Sequence, residues 1–402
     1  MKWEKVRLGD IAEFRNGINF GKEAYGKGVR LIGVSNFGDR LFPEYKSLDE
    51  VKENVVREND YLCSGDIVFV RSNGNKGLVG RCLLIDSPQD KVTYSGFCIR
   101  ARINDVSKHY PLFWTYHFKD KAFRKAMSGT AVGANIQNLS QERLAAYEAN
   151  IPDYKSQVRI ADILSSYDKL IENNQKQIKL LEESAQRLYK EWFVDLRFPG
   201  YENVKIVNGV PEGWKKDYIE SKINLLSGYA FKSNEFNQEG KYKVVTIKNV
   251  KDGQFDGKNV NRIVEIPPNL PKHCKLKDGD ILLSLTGNVG RVCMVNGKEY
   301  LLNQRVAKLK SRIPAYTYCL FRSKDMFDKM NSLANGAAQQ NLSPIRTGKI
   351  IVLYPPDNLI SKFERLVQPI IEKILFVNKN INVSLKARDC LLPKLMSGEL
   401  EV

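Results

Sequence analysis

W-E-K-V-R-L-G-D-I-A-E-F-R-N-G-I-N-F, from Trp3 to Phe20, returns as W-K-K-D-Y-I-E-S-K-I-N-L-L-S-G-Y-A-F, from Trp214 to Phe231, at a constant offset of 211. Further on the correspondence persists with small drift. Val34-Ser35-Asn36 answers Ile247-Lys248-Asn249, and Gly65-Asp66-Ile67 answers Gly279-Asp280-Ile281. Gly80-Arg81 matches Gly290-Arg291, and Asn138-Leu139-Ser140 matches Asn341-Leu342-Ser343. A repeat of about 200 residues is far longer than the roughly 20–50 residues of a solenoid unit. It therefore predicts one domain-sized fold, duplicated, with loops of unequal length and two similar sites in one chain.

Each copy has two parts. The first is a series of short apolar runs broken by Gly, Asn and Asp, which predicts strands. These runs are Val29–Val34, Asp66–Val70 and Lys91–Ile103, then Lys243–Ile247, Asp280–Leu285 and Leu301–Lys308. Tyr110–Met127 and Ala315–Leu333 carry helical periodicity.

The second part is a long helix. In copy one the seam runs through Ile160, Ile163, Tyr167, Leu170, Asn174, Ile178, Leu181, Ala185, Leu188 and Trp192. These steps of three and four are a heptad pattern with one four-residue insertion. Copy two repeats it through Phe363, Leu366, Ile370, Ile374, Val377, Ile381, Leu385, Leu392 and Leu395, with kinks expected at Pro369 and Pro393. Each helix follows its own lobe, so an antiparallel pair would set the lobes at opposite ends. The expected fold class is α+β: two similar mixed α/β lobes separated by a pair of long antiparallel coiled-coil helices, with pseudo-two-fold symmetry. The expected boundaries are 1–154 for the first lobe, 155–197 for its helix, 198–213 for a linker, 214–357 for the second lobe and 358–402 for its helix and tail.

The 402 residues carry a net charge of +17. Ser156–Trp192 is neutral and Leu359–Leu395 carries +4, which leaves +13 for the remainder. That excess favours a polyanionic partner. No apolar run reaches the roughly 18–20 residues of a membrane span and no signal peptide is evident, so a cytoplasmic protein without a membrane partner is expected. Seven Cys without a C-x-x-C and only three His argue against a metal site and for buried thiols.

Two stretches imitate nucleotide and methyltransferase motifs. Gly21–Gly28 resembles a phosphate-binding loop, but Gly28 stands where a Ser or Thr must hold magnesium. Tyr354-Pro355-Pro356-Asp357 places its aromatic before the prolines rather than after them. No catalytic set is expected. The informative loops are Arg71-Ser72-Asn73-Gly74-Asn75-Lys76-Gly77 leading to Arg81, and Ser284-Leu285-Thr286-Gly287-Asn288 leading to Arg291. Glycine admits close backbone approach to phosphate, Arg suits guanine or phosphate, and Asn suits adenine. The candidate DNA-binding residues are Lys22, Arg71, Asn73, Asn75, Lys76, Arg81 and Gln137 in copy one, and Lys232, Thr286, Asn288, Arg291 and Gln340 in copy two. For the Asn and Ser beside each Gln, capping of the next element is the preferred role.

Val210-Pro211-Glu212-Gly213-Trp214, Gly228-Tyr229-Ala230-Phe231-Lys232-Ser233, Gly279-Asp280-Ile281-Leu282 and the terminal Leu391-Leu392-Pro393-Lys394-Leu395-Met396-Ser397-Gly398-Glu399-Leu400 occur in order. Together they resemble the specificity subunit of type I restriction–modification enzymes, over essentially the whole chain. The resemblance implies two target-recognition domains, each binding half of a bipartite, asymmetric site in double-stranded DNA. It implies that the helices hold two methyltransferase (modification) subunits, that restriction (motor/nuclease) subunits add outside, and that each complex has one copy of this chain. Catalysis and S-adenosylmethionine would belong to those partners, so no cofactor is expected here. The alternatives are the recognition half of a combined restriction–methyltransferase enzyme, and a helical scaffold that binds no DNA.

Overall fold

The computed structural model describes residues 2–38, 40–75, 77–128, 138–334 and 341–402. Contacts divide the chain into two compact units, Met1–Ile171 with Ser384–Val402, and Glu172–Val383. The division falls inside the long helices, because the two ends of each helix pack into different units.

In the first unit, Trp3–Arg7 pairs antiparallel with Glu148–Pro152, the strand that leads into the first long helix. A four-stranded antiparallel sheet runs in the order Ala12–Asn16, Cys98–Ile103, Ile67–Val70, Cys82–Leu84. A three-stranded sheet orders Asp49–Val51, Tyr25–Ile32 and Val92–Tyr94, the last two parallel. The second unit repeats this plan. Lys215–Tyr218 pairs with Ile351–Tyr354, and one four-stranded sheet orders Ile223–Ser227, Val306–Ser311, Ile281–Ser284 and Val292–Met294. Its second sheet adds a strand, Lys275–Leu276, beside Tyr300–Leu302.

The runs Lys91–Ile103 and Leu301–Lys308, read as single strands, are each two strands. The breaks fall at 95–97 and 303–305. At each break the chain leaves one sheet and enters the other, and no straight strand can serve both. Tyr110–Met127 and Ala315–Leu333 likewise become helix pairs broken at Asp120 and Ser323. Asp120 Oδ2 accepts the Ala122 N–H at 3.0 Å and Ser323 Oγ accepts the Met326 N–H at 3.3 Å, so each break residue caps the helix that follows it.

The first long helix spans Tyr154–Tyr189 and continues in a π-helical turn, Lys190–Val194. Asp153 caps its start by accepting the Ser156 N–H at 3.1 Å, and these hydrogen bonds hold the Asp153 carboxyl below its ordinary pKa. The second spans Asp357–Ser397; Pro369 and Pro393 do not end it. In the first unit the start of the first helix (Ile160, Ala161, Leu164) shares a core with the end of the second (Leu395, Met396). In the second unit Ala185, Tyr189 and Trp192 share a core with Phe363, Val367, Ile371 and Ile374. Both units therefore contain antiparallel helix segments.

The seam departs from the heptad reading at Leu170 and Leu366. Ile160, Asn174, Trp192, Phe363, Ile374, Val377, Ile381 and Leu395 are buried. Ile163, Tyr167, Ile178, Leu181, Leu188, Ile370, Leu385 and Leu392 are half-buried. Leu170 is 47% exposed and Leu366 is 53% exposed; Ile171 and Val367 take their places inside. The physical reason in the first helix is Asp168. Its Oδ2 accepts the Tyr116 hydroxyl at 2.5 Å and its Oδ1 pairs with Arg388, so a carboxylate sits on the inner face where the pattern favoured Tyr167. In the second unit Glu182 accepts the Tyr318 hydroxyl at 2.7 Å and pairs with Arg322, also at 2.7 Å. Each lobe thus donates a tyrosine hydroxyl to a carboxylate of the first long helix.

The linker holds a hairpin, Ile206–Val207 with Val210–Pro211, whose Asn208 and Gly209 take φ of 52° and 76°. Two left-handed residues in succession suit the twist of a tight hairpin. The cysteines are all free thiols; Cys63 and Cys390 are exposed and the other five are buried.

One buried group makes the first lobe sensitive to acid. His117 lies against Trp114, Phe118 and Tyr147, with Nε2 3.1 Å from the Tyr147 hydroxyl. Burial pushes its pKa down from 6.5 to about 4. The unfolded chain binds the proton more readily, so this residue's contribution is complete above pH 6.5 and is lost progressively from there towards pH 4. The loss is on the order of 3 kcal/mol. Denaturant midpoints of the wild type should fall over this window, and His117→Gln should flatten the fall. Equal slopes in both proteins would remove His117 as its source.

Candidate DNA-recognition surfaces

The two crossing points build the same loop framework. In the first unit the Ile18 N–H donates to Tyr94 O at 2.9 Å and the Gly96 N–H to Ile18 O at 2.7 Å. The Arg71 N–H donates to Phe97 O at 2.8 Å and the Leu139 N–H to Arg71 O at 2.9 Å. In the second, the Tyr229 N–H donates to Leu302 O at 2.9 Å and the Gln304 N–H to Tyr229 O at 2.9 Å. The Leu285 N–H then donates to Arg305 O at 3.0 Å and the Leu342 N–H to Leu285 O at 2.7 Å. Bridges Ser72–Asn138 and Thr286–Asn341 close each set. Four loops distant in sequence therefore meet at one edge of each lobe, on identical backbone bonds, with different side chains.

Of the predicted residues, Arg71, Asn73 and Asn75 lie on the loop that opens this edge in the first lobe, and Thr286 and Asn288 on its counterpart in the second. Arg71 is half-buried and its Nη1 donates to Gly96 O at 3.3 Å. Asn73 Oδ1 accepts the Asn75 N–H at 2.7 Å, and Asn75 Oδ1 accepts the Gly77 N–H at 3.0 Å. Both carboxamide oxygens are thus engaged in shaping the loop, and a bidentate adenine contact would need those oxygens released. Arg81 Nε and Arg124 Nη2 both donate to Gly77 O, at 3.4 and 2.9 Å. Burial, with a lesser effect from the Arg81 charge, holds Arg124 below its ordinary pKa. Two guanidiniums on one carbonyl concentrate positive charge where a phosphate would neutralise it.

In the second lobe Ser284 Oγ donates to Asn288 O at 2.6 Å and accepts the Arg291 N–H at 3.0 Å, closing a loop in which Thr286 is half-buried with its hydroxyl turned inward. Gly287 and Gly290 there take φ of +70° and +79°, which side chains rarely adopt. Arg291 is half-buried and Asn288 exposed. Lys22 and Lys232 are exposed and stand just beyond the 17–20 and 228–231 loops. Lys76, Gln137 and Gln340 lie outside the described residues. Ser140 and Ser343 do cap, accepting the N–H groups of Arg143 and Arg346 at 3.2 and 3.4 Å.

Sequence reasoning missed Ser95-Gly96-Phe97, Asn303-Gln304-Arg305 and Arg124. The Ser-Gly pair inside an apolar run was the available signal for a turn. Among the described residues, no group of three or more His, Cys, Asp or Glu could hold a metal ion, and no helix is long and apolar enough to cross a membrane.

Known proteins resemble this arrangement along its full length. The type I restriction modification DNA specificity domain matches residues 1–183 and again 211–386. The type I restriction enzyme MjaIX specificity subunit of Methanocaldococcus jannaschii is 28% identical, over 100% of this chain and 94% of its own length. The EcoKI specificity subunit of Escherichia coli is 23% identical, over 95% of this chain and 84% of its own length. The crystal structure of the type I restriction–modification S subunit from M. genitalium superposes with a TM-score of 0.58 at 18% identity, covering 98% of this chain and 96% of that one. With two matched domains and the duplicated α+β plan, the chain belongs to the type I restriction–modification DNA specificity family, as a specificity subunit with two target-recognition domains.

Proposed function

We propose that each lobe reads one half of a bipartite, asymmetric site in duplex DNA through its four-loop edge, and that the long helices carry two methyltransferase subunits. Restriction subunits add outside these, with one copy of this chain per complex. The chain itself is non-catalytic and takes no cofactor; the methyl donor and the nuclease belong to the partners. The domain limits are 1–154 and 214–357 for the two readers. The observation that carries this reading is the repeated backbone framework bearing unlike side chains, since one scaffold with two side-chain sets suits two different half-sites. The +17 net charge supports a polyanionic ligand.

Alanine at Lys22, Arg71, Asn75 or Arg81 is expected to change selection at one half-site only, and alanine at Lys232, Asn288 or Arg291 at the other. A residue that reads a base contributes roughly 1–3 kcal/mol of discrimination. The measurement is selection from randomised duplexes by the full chain assembled with its methyltransferase partner. Altered preference at both half-sites from a single-lobe variant would refute the assignment. Methyl transfer by the rigorously purified chain alone would refute the non-catalytic role.

A further inference from the structure

The shared framework makes residue-by-residue comparison of the two edges possible, and one pair of positions exchanges its chemistry. Where the first lobe has Arg71 bonded to Phe97, the second has Leu285 bonded to Arg305, across the same N–H to carbonyl bond. Leu285 is buried and Arg305 is exposed. Arg71 is half-buried and tied to Gly96 O, whereas Phe97 is 64% exposed. So at the crossing loop one lobe presents an aromatic ring and the other a guanidinium.

A single exposed apolar side chain is ordinarily unremarkable. Phe97 differs because of its place. Its carbonyl accepts both the Arg71 and Ser72 N–H groups, at 2.8 and 3.3 Å, and Ser72 bridges Asn138. The ring therefore stands on a loop pinned by two backbone bonds to the Arg71–Ser72 segment. Water solvates such a ring poorly, and the ring is left 64% exposed. The duplex feature that matches an exposed ring in the major groove is the thymine methyl, and the feature that matches an exposed guanidinium is the guanine O6/N7 edge.

Resting on the half-site reading above, we propose that residues 97 and 305 are matched readout positions: Phe97 contacts a thymine methyl in one half-site, and Arg305 contacts guanine at the corresponding position of the other. Discrimination between the half-sites is then set partly by this exchange, on loops whose backbone is the same.

The test uses the full chain with duplexes first selected from a randomised core. Each thymine of the selected site is then replaced by uracil in turn. One replacement, in the first lobe's half-site, is expected to weaken binding about fourfold, the effect of one buried methyl-sized group. Phe97→Ala should weaken the thymine site about tenfold and abolish the uracil effect, with an unchanged melting temperature because the ring is exposed. Arg305→Ala should lower affinity roughly tenfold for the guanine-containing site and relax selection at that base pair alone. Uniform weakening across all sequences would place Arg305 on a phosphate and overturn its part. No uracil effect, or a rise in 2-aminopurine fluorescence marking an unstacked step at Phe97, would overturn the thymine contact. If the wild-type chain selects no sequence at all, the half-site reading itself fails. If it selects a site that Phe97→Ala and Arg305→Ala bind equally well, only the present inference fails.

Discussion

Binding of the full chain to its duplex site is expected to weaken roughly 10³–10⁵-fold when salt rises from about 50 to about 200 mM. The magnitude follows from counterion release by about six to ten neutralised phosphates. Of the +17 net charge, the stretch Ser156–Trp192 contributes none and Leu359–Leu395 only +4. The balance lies in the lobes and linker, where Arg81 and Arg124 converge on Gly77 O and Lys22 and Lys232 are exposed. Fluorescence anisotropy across a salt series measures the slope directly. A flat response would mean that the excess charge is not spent on phosphate and would sink the DNA-binding role. Substitution of a single phosphate-contacting lysine should lower the slope by about 1.

Removing residues 384–402 should destabilise the first lobe by roughly 3–6 kcal/mol and spare the second. Leu395 and Met396 are buried in the same core as Ile160, Ala161 and Leu164, with Leu391 and Leu392 packed against it. Each fully buried large aliphatic contributes roughly 1.5–3 kcal/mol. The deletion also strips Asp168 of Arg388, leaving a half-buried carboxylate with the Tyr116 hydroxyl. Gly398, at φ +77°, brings the chain end against the Trp3 indole, so the N-terminal strand loses cover as well. Amide hydrogen exchange separates the lobes: protection across Ile67–Val70 and Cys98–Ile103 should fall, and protection across Ile281–Ser284 should hold. Equal protection in both proteins would show that the first lobe folds without the C-terminal segment.

The antiparallel segments are legible in the sequence, but their seam is misplaced by one residue at Leu170 and Leu366. Leu366 and Val367 are both apolar, as are Ile370 and Ile371, and a helix turns about 100° per residue. A stripe one residue away fits the pattern as well. The lobes choose between them: Val367 and Ile371 belong to the core that holds Tyr316 and Tyr354. At Asp168 the pattern pointed outward for a sound reason, since a carboxylate is costly to bury alone. The Tyr116 hydroxyl and Arg388, distant in sequence, make it inner.

The duplication, the mixed lobes, the long helices and the family are readable in the amino-acid sequence, because all of these rest on local pattern and order along the chain. Which side chains stand at each recognition edge depends on how the strands pair. The runs Lys91–Ile103 and Leu301–Lys308 look continuous because both halves of each are apolar. They break at Ser95–Phe97 and Asn303–Arg305 because each run has to serve two sheets. Sheet membership is a property of pairing partners tens of residues away, which no local window contains. The exposed Phe97 and Arg305 are consequences of that crossing, and the loops they meet are joined by backbone bonds that form when the whole lobe has folded.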